Sequence, residues 1–279
     1  MATSLRIVTS KPIAIDSPDH IQPWGTSRDN STNQVFNRKL FWWMTKRPLR
    51  VLDLGCSGGG FVKSIHDAGG FGVGVEGSDY SRTRGRAEWG TIPDFLFTAD
   101  ITHPFDLFEV DDQGVDNLAR FDVITAWEVI EHIRDDQLDA VFDNILRHLA
   151  RSGVVIMSIN SNEEVIEGVK LHQTVQGRPW WVARFGRAGF VTHDSVVRFF
   201  GNDWVRGGPW ERGSFHIVAT RRGEKLPEAE RLRVITPLVA VFDVAKATLS
   251  AARNLLGPYI PQALRSVYRG LRNCYARPQ

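Results

Sequence analysis

The groups able to do chemistry in this sequence are acids and imidazoles that follow short apolar runs. Asp53-Leu54-Gly55-Cys56-Ser57-Gly58-Gly59-Gly60 places a carboxylate two residues before a turn whose glycines let the main chain come close to a ligand. Glu76 lies 21 residues beyond Gly55, about the distance at which an acid ending a second strand reaches ribose hydroxyls in a βαβ cofactor site, and Gly77 follows it. Asp100 and Ile101 close a third apolar run, and Trp127 and Glu128 a fourth. Glu131-His132 and, further on, His172 add imidazoles that titrate near neutral pH and are candidates to accept a proton from a substrate. The combination is a cofactor cradle with a proton acceptor beside it.

These groups need elements to hold them. Residues 51–54 are a short apolar run ending in glycine, as in a strand buried on both faces of a parallel sheet, and residues 61–66 have the apolar spacing of a helix packed on it. Residues 71–76, 95–100, 121–127 and 152–159 read as the next four strands. Residues 135–149 read as a helix with Leu138, Val141, Ile145 and Leu149 inward. Ser78 or Asp79 is expected to cap a helix, and residues 106–120 read as a polar insertion. Residues 196–200 and 215–220 are expected to supply the last two strands, joined as a long hairpin by residues 201–213 with Trp204 and Trp210. The predicted fold class is α/β: a Rossmann-like, seven-stranded, mostly parallel sheet with an antiparallel last strand, helices on both faces, and a helical C-terminal tail. In such a sheet, ligands bind outside the strand C-terminal ends where the strand order reverses.

A dinucleotide fingerprint needs glycines at the first, third and sixth places of the turn, and the third place here is Ser57. Asp53-Leu-Gly55-Cys-Ser57-Gly-Gly59 instead resembles the Asp-x-Gly-x-Gly-x-Gly first motif of class I S-adenosylmethionine (SAM) dependent methyltransferases, with Ser57 replacing the middle glycine. The stretch Phe121-Asp-Val-Ile followed by Glu128-Val-Ile-Glu131-His132-Ile133 resembles the signature of their ubiquinone-methyltransferase-like branch, and the resemblance covers residues 50–222. It implies an enzyme that moves the SAM methyl group to a small-molecule or saccharide acceptor at oxygen. It also implies cofactor contacts from Asp53, Gly55, Cys56, Ser57, Gly59, Glu76, Gly77, Asp100, Ile101, Trp127 and Glu128. Asp100 would accept from the adenine amino group while Ile101 packs on the ring; the other reading is that Asp100 caps the turn toward Pro104. Trp127 and Glu128 belong near the methionine moiety. His132 and His172 are the candidate bases, although the Glu131-His132 pair also suits bracing of its loop. The aromatic helix with Trp180, Trp181 and Phe185 resembles the part of the branch that borders the acceptor, and its tryptophans either stack on substrate or fill core. Two further classes are carried as alternatives: a nicotinamide-dependent oxidoreductase, disfavoured by Ser57, and a non-catalytic SAM-fold binding protein, disfavoured by the intact set Asp53, Glu76, Asp100 and His132.

At 279 residues, 42% hydrophobic and 24% charged, the chain can bury one full α/β core with an appendage left over. Its two cysteines, Cys56 and Cys274, are far apart and lack metal-ligand spacing, so no disulfide framework or metal site is assigned and a reducing, cytoplasmic setting is expected. No run of about 18 apolar residues and no apolar leader occurs. Residues 221–279 hold 11 Lys or Arg against 4 Asp or Glu, a net of +7, which leaves −5 on residues 1–220. An acidic main unit argues against nucleic acid as a partner.

The expected organisation is an N-terminal loop and covering helix (1–45), a methyltransferase domain (46–222) and a basic amphipathic tail (223–279). Residues 33–44 set Phe36, Leu40 and Trp43 on one face, either over the cofactor turn or simply packed on the domain. The tail pairs apolar stripes with Lys246, Arg253, Arg265, Arg269, Arg272 and Arg277 and has no acid after Asp243. That pattern suits peripheral contact with the inner membrane face, or a homodimer contact.

Overall fold

The structure, a computed structural model, describes residues 4–208 and 211–233. The readings made for the C-terminal tail, Trp210 and Cys274 lie outside the described residues. The chain opens with β1 (Ser4–Thr9), the short helices α1 (Pro18–Ile21) and α2 (Trp24–Arg28), and α3 (Gln34–Trp43). Asn33 caps α3: its Oδ1 accepts from the N–H groups of Val35 (2.9 Å) and Phe36 (3.2 Å), which the first helical turn leaves unpaired. Phe36, Leu40 and Trp43 form the buried face that their spacing predicts. There follow β2 (Arg50–Leu54), α4 (Gly60–Asp67), β3 (Phe71–Glu76), α5 (Tyr80–Thr83), β4 (Leu96–Thr98), β5 (Phe105–Val110), β6 (Asp116–Leu118) and β7 (Phe121–Trp127). The remainder is α6 (Leu138–His148), β8 (Leu149–Asn160), β9 (Val165–Ile166), β10 (Val169–Lys170), α7 (Arg178–Arg187), β11 (Phe190–Thr192), α8 (Asp194–Phe200) and β12 (Ser214–Arg221).

Seven strands make the main sheet in the order β11-β12-β8-β7-β2-β3-β4. β12 runs antiparallel to both of its neighbours and the other pairings are parallel, as the α/β reading predicts. The chain walks outward from β2 to β4, then returns to lay β7 on the other side of β2. The strand order therefore reverses between β2 and β7, and their C-terminal ends frame the crevice where such sheets bind ligands. Successive residues point to opposite faces. Ile124, Val155, Met157 and Ile217 pack with α6 and α7 through Phe142, Ile145, Trp181 and Phe185. Val123, Val154, Ile156 and Val218 pack on the other face with α3, α4 and α8 through Phe36, Phe61, Phe199 and Phe200. Among the described residues no helix is long and apolar enough to cross a membrane.

Three sequence readings are corrected. Residues 196–200 are not a strand: Val196, Phe199 and Phe200 are buried within α8, a spacing of three and four residues that follows the helical period, and Gly201 at φ +59° ends the helix. The sixth strand is β11, so residues 201–213 join a helix to β12 and not two strands of a hairpin. Residues 106–120, read as a polar insertion, carry two strands. β5 pairs with β1 on one side and β6 on the other in a second, three-stranded sheet, where β5 turns Phe105 and Leu107 inward. The partner strand lies about a hundred residues away in sequence, so no local pattern announces it.

Candidate active site

The glycine turn is built on β2. Asp53, near its end, is 2% exposed, and its Oδ1 accepts from the Thr125 hydroxyl on β7 at 2.6 Å. Burial pushes its pKa up to about 8, with Asp29 and Glu76 adding to the rise and the Thr125 bond opposing it. Gly55 then takes φ +71°, and a Cβ there would stand 2.4 Å from Val129 Cγ2. Ser57, at the place of the family's middle glycine, adopts φ +47° itself. Its N–H donates to Glu76 Oε2 at 2.6 Å, and the N–H of Ser78 donates to Glu76 Oε1 at 3.1 Å. Glu76 is thus a buried carboxylate held between the ends of β2 and β3. Burial raises its pKa to about 7 in spite of those two bonds. Ser78, not Asp79, supplies the cap, its Oγ accepting from Tyr80 N–H at 3.3 Å. Cys56 lends the turn its main chain only. Its side chain packs with Val62, Trp89 and Leu96, and burial, then Glu76 and Asp53, push its thiol well above the usual range.

The serine is used. Its Oγ donates to the carbonyls of Thr26 (3.1 Å) and Asp29 (3.0 Å), and Arg86 Nη2 reaches the same two carbonyls. The N-terminal segment thereby lies on the turn, so closely that a Cβ at Gly58 or Gly60 would stand 2.5 Å from an Asn30 oxygen. Ala14 N–H donates to the carbonyl of Gly77 at 2.9 Å. Asp29, Asn30 and Arg86 were missed from the sequence. The signal present was the run of side-chain acceptors and amides at residues 29–33, denser than a plain linker needs.

Asp100 lies beyond β4 with both oxygens engaged. Oδ1 accepts from Thr102 N–H (2.9 Å) and its hydroxyl (2.6 Å), and Oδ2 lies 3.1 Å from His103 Nδ1. These are the contacts of a turn cap; the carboxylate keeps further lone pairs. Ile101 is in the core beside it. Trp127 ends β7 with its ring edge-on to Phe36 and Phe61, and its Nε1 is buried with no hydrogen-bond partner among the described residues. Glu128 takes φ +55° and accepts from Ser214 Oγ (2.7 Å) and Arg206 Nη2 (3.1 Å). Burial alone would raise its pKa, but Arg206 and Ser214 bring it below the ordinary value. Arg206 also reaches Asp29 at 3.5 Å, which joins the loop before β12 to the N-terminal segment.

The structure brings His132 and His172 together, with ring centroids 4.6 Å apart and edge-to-face. Asp19 of α1 lies 2.9 Å from His132 Nδ1. Burial would lower the His132 pKa, but Asp19, Glu131 and Glu164 outweigh it and lift the imidazole to about 9. His172 goes the other way: burial lowers its pKa, and Nδ1 bonds the Asn162 carbonyl at 2.5 Å. Glu131 is fully buried. One oxygen accepts from Asn160 N–H at 2.7 Å, and burial raises its pKa to about 7. Its main-chain carbonyl accepts from Gln173 (2.8 Å) and Thr174 (2.9 Å), the residues after His172. Gln173 and Thr174 also line a cavity of 490 Å³ with Asp135, Glu163, Gln176 and Trp180. Trp181, by contrast, is wholly core.

A buried acid at the end of β3, a glycine turn after β2 and a crevice at the reversal of strand order suit SAM, with acids at hand for its hydroxyl and ammonium donors. Fold and site together define an enzyme of the class I methyltransferase type with SAM as cofactor. The sequence profile of the family described as "Methyltransferase domain" matches residues 30–200, and the chain belongs to that family. No curated protein matches the chain. Among solved structures it is similar to the Burkholderia thailandensis 1,6-didemethyltoxoflavin-N1-methyltransferase, with 14% identity, 73% of this chain, 84% of that one and a TM-score of 0.49. The glycopeptide N-methyltransferase MtfA gives 12% identity, coverage of 72% and 95%, and a TM-score of 0.49. For the pyocyanin biosynthetic protein PhzM the identity is 17% and the TM-score 0.42, over 66% of this chain but only 54% of that one.

Proposed function

We propose that the chain methylates a hydroxyl oxygen of a small, polar, saccharide-like acceptor, with residues 46–222 as the catalytic unit and residues 1–45 as its cover. The observation that carries this reading is the His132/His172 pair, joined through Gln173 and Thr174 to a cavity lined by two acids, two amides and one indole together with Lys170, Thr174 and Val175. Hydroxyl-rich molecules suit such a lining, since acids and amides pair with hydroxyls and an indole face covers C–H groups. When bound, SAM supplies an electrophilic methyl group on a sulfonium. The protein's task is to align acceptor, methyl carbon and leaving sulfur, and to exclude water. Glu76 holds the ribose hydroxyls, Asp100 and Ile101 the adenine, and Trp127 and Glu128 border the methionine end. His172, kept neutral by burial, offers a nitrogen lone pair to the acceptor's hydroxyl proton. His132, its Nδ1 facing the Asp19 carboxylate at 2.9 Å, positions rather than accepts.

His172→Ala is therefore expected to lower kcat by about 10²–10⁴-fold while SAM affinity stays within about twofold. His132→Ala should lose less. The check is methyl transfer from labelled SAM to a panel of saccharide and phenolic hydroxyls, with calorimetry for SAM. Turnover near wild type in both variants would remove the imidazoles from the reaction, and transfer to amines alone would overturn the oxygen assignment.

For residues 236–277 the proposal is reversible docking on an anionic membrane surface, carried by the basic, amphipathic sequence. Each basic side chain near such a surface contributes about 1 kcal/mol. The full chain should co-sediment with phosphatidylserine vesicles but not phosphatidylcholine vesicles, less so at high salt, and a chain ending at Glu230 should stay in the supernatant. A salt-insensitive dimer that stays off both vesicles would assign the tail to self-association.

A further inference from the structure

We infer that Glu131, His132 and His172 bind a divalent transition-metal ion, a role the sequence reading did not assign. One donor atom from each residue lies within 4.8 Å of those from the other two. Ligands about 2.0–2.2 Å from one tetrahedral ion stand roughly 3.5 Å apart, so a closure of at most about 1.3 Å is needed. The second, independent observation is at Glu131. The residue is 0% exposed, yet its Oε2 has no hydrogen-bond partner among the described residues, while the other oxygen is satisfied by Asn160 N–H. An orphaned carboxylate oxygen in a dry site is costly unless a cation completes it.

The imidazoles are prepared in the same sense. His172 commits Nδ1 to the Asn162 carbonyl, which turns the lone pair of Nε2 toward the Glu164 carboxylate at 3.2 Å. A lone pair and a carboxylate at that separation repel unless a proton or metal ion lies with them. Asp19, 2.9 Å from His132 Nδ1, is the carboxylate that so often orients a metal-bound imidazole. Two imidazoles and one carboxylate favour zinc, cobalt, manganese or iron over magnesium and calcium, which prefer all-oxygen sites.

This inference deepens the hydroxyl-methylation reading above and rests on it for the role of the ion, though not for its binding. Three protein ligands leave coordination positions for an acceptor oxygen, whose proton the ion makes easier to lose. The hydroxyl O–H then breaks with its proton passing to Glu164 or water. The oxygen forms the bond to the methyl carbon, and the C–S electron pair stays on sulfur. His172 acts as a ligand in that arrangement, and the ion takes over the activation otherwise left to its lone pair.

The test uses the full-length, tag-free chain, stripped with chelator and titrated with CoCl₂ while visible d–d absorption and calorimetric heat are followed. Stoichiometric binding with a d–d spectrum is expected, weakened at least about tenfold in Glu131→Gln and in His172→Asn. SAM affinity should be unchanged in both, which also shows that they fold. Absence of one-to-one cobalt binding in the wild type, or equal binding in both variants, overturns the site. Cobalt binding without transfer to any hydroxyl would leave the site standing and sink the acceptor reading, whereas hydroxyl transfer by metal-free protein would keep the acceptor reading and remove the ion from the reaction.

Discussion

Gly55→Ala is expected to be the most damaging single substitution in the cofactor turn, lowering stability by about 2–5 kcal/mol and SAM affinity below easy detection. Two costs combine. A non-glycine residue at φ +71° is strained by about 1–2 kcal/mol, and the new methyl would meet Val129 Cγ2 at 2.4 Å, an overpacking cost of about 1–3 kcal/mol. Against a total stability of about 5–15 kcal/mol, that is a large share. Thermal melts and calorimetry with SAM measure both effects. The double variant Gly55→Ala/Val129→Ala should recover the contact part and not the backbone part. If it recovers nothing, the clash is not where the loss arises; if Gly55→Ala binds SAM as wild type does, the turn does not hold the cofactor.

The second large effect is a pH dependence of SAM binding centred on Glu76. Its folded pKa of about 7 lies above the ordinary 4.5, so between those values the folded free protein keeps a proton that the unfolded chain has lost. Stability of the free protein therefore falls as pH rises through this window, by up to about 3 kcal/mol at its upper end, and Asp53, raised to about 8, acts in the same direction. In the proposed site the ribose hydroxyls donate to the ionised carboxylate, so binding would draw off the proton. Affinity for SAM should be roughly tenfold weaker at pH 6 than at pH 8, with proton release at pH 6 seen as buffer-dependent calorimetric heat. Glu76→Gln should bind weakly and without that slope. Equal dissociation constants for the wild type at the two pH values would show that Glu76 is not ionised on binding.

Much of the sheet was legible because its signals are local. The apolar run at β2, the glycine turn and the helical spacing of α3 each declare themselves within about ten residues, and Asn33 announces its helix by residue type alone. Asp53 and Glu76 could be placed because the βαβ unit fixes the distance between them. What could not be read depends on partners far along the chain. β5, Phe-Asp-Leu-Phe-Glu-Val, scatters two acids among its apolar residues and pairs with a strand about a hundred residues away, and α8 looks like a strand in a window of five because Val-Val-Arg-Phe-Phe has strand composition and too short a run to show its period. The same holds for the site. Asp19, Arg86 and Arg206 gain their meaning only where the N-terminal segment crosses the turn, and nothing in their own neighbourhoods marks that crossing.

That crossing is made by carbonyl oxygens: Ser57 and Arg86 are answered by the main chain of Thr26 and Asp29 rather than by their side chains. A main-chain acceptor is present whatever residue carries it, so the contact is indifferent to substitution at position 26. It is intolerant of a change in length. One residue added or removed between Thr26 and Asn33 would shift both carbonyls off their donors, leave Ser57 and Arg86 unanswered beside the turn, and rotate Phe36 out of its slot against Trp127. Drift in this part of the protein is therefore constrained in register far more than in letter, and relatives that keep the same docking should differ here by exchanges and not by gaps.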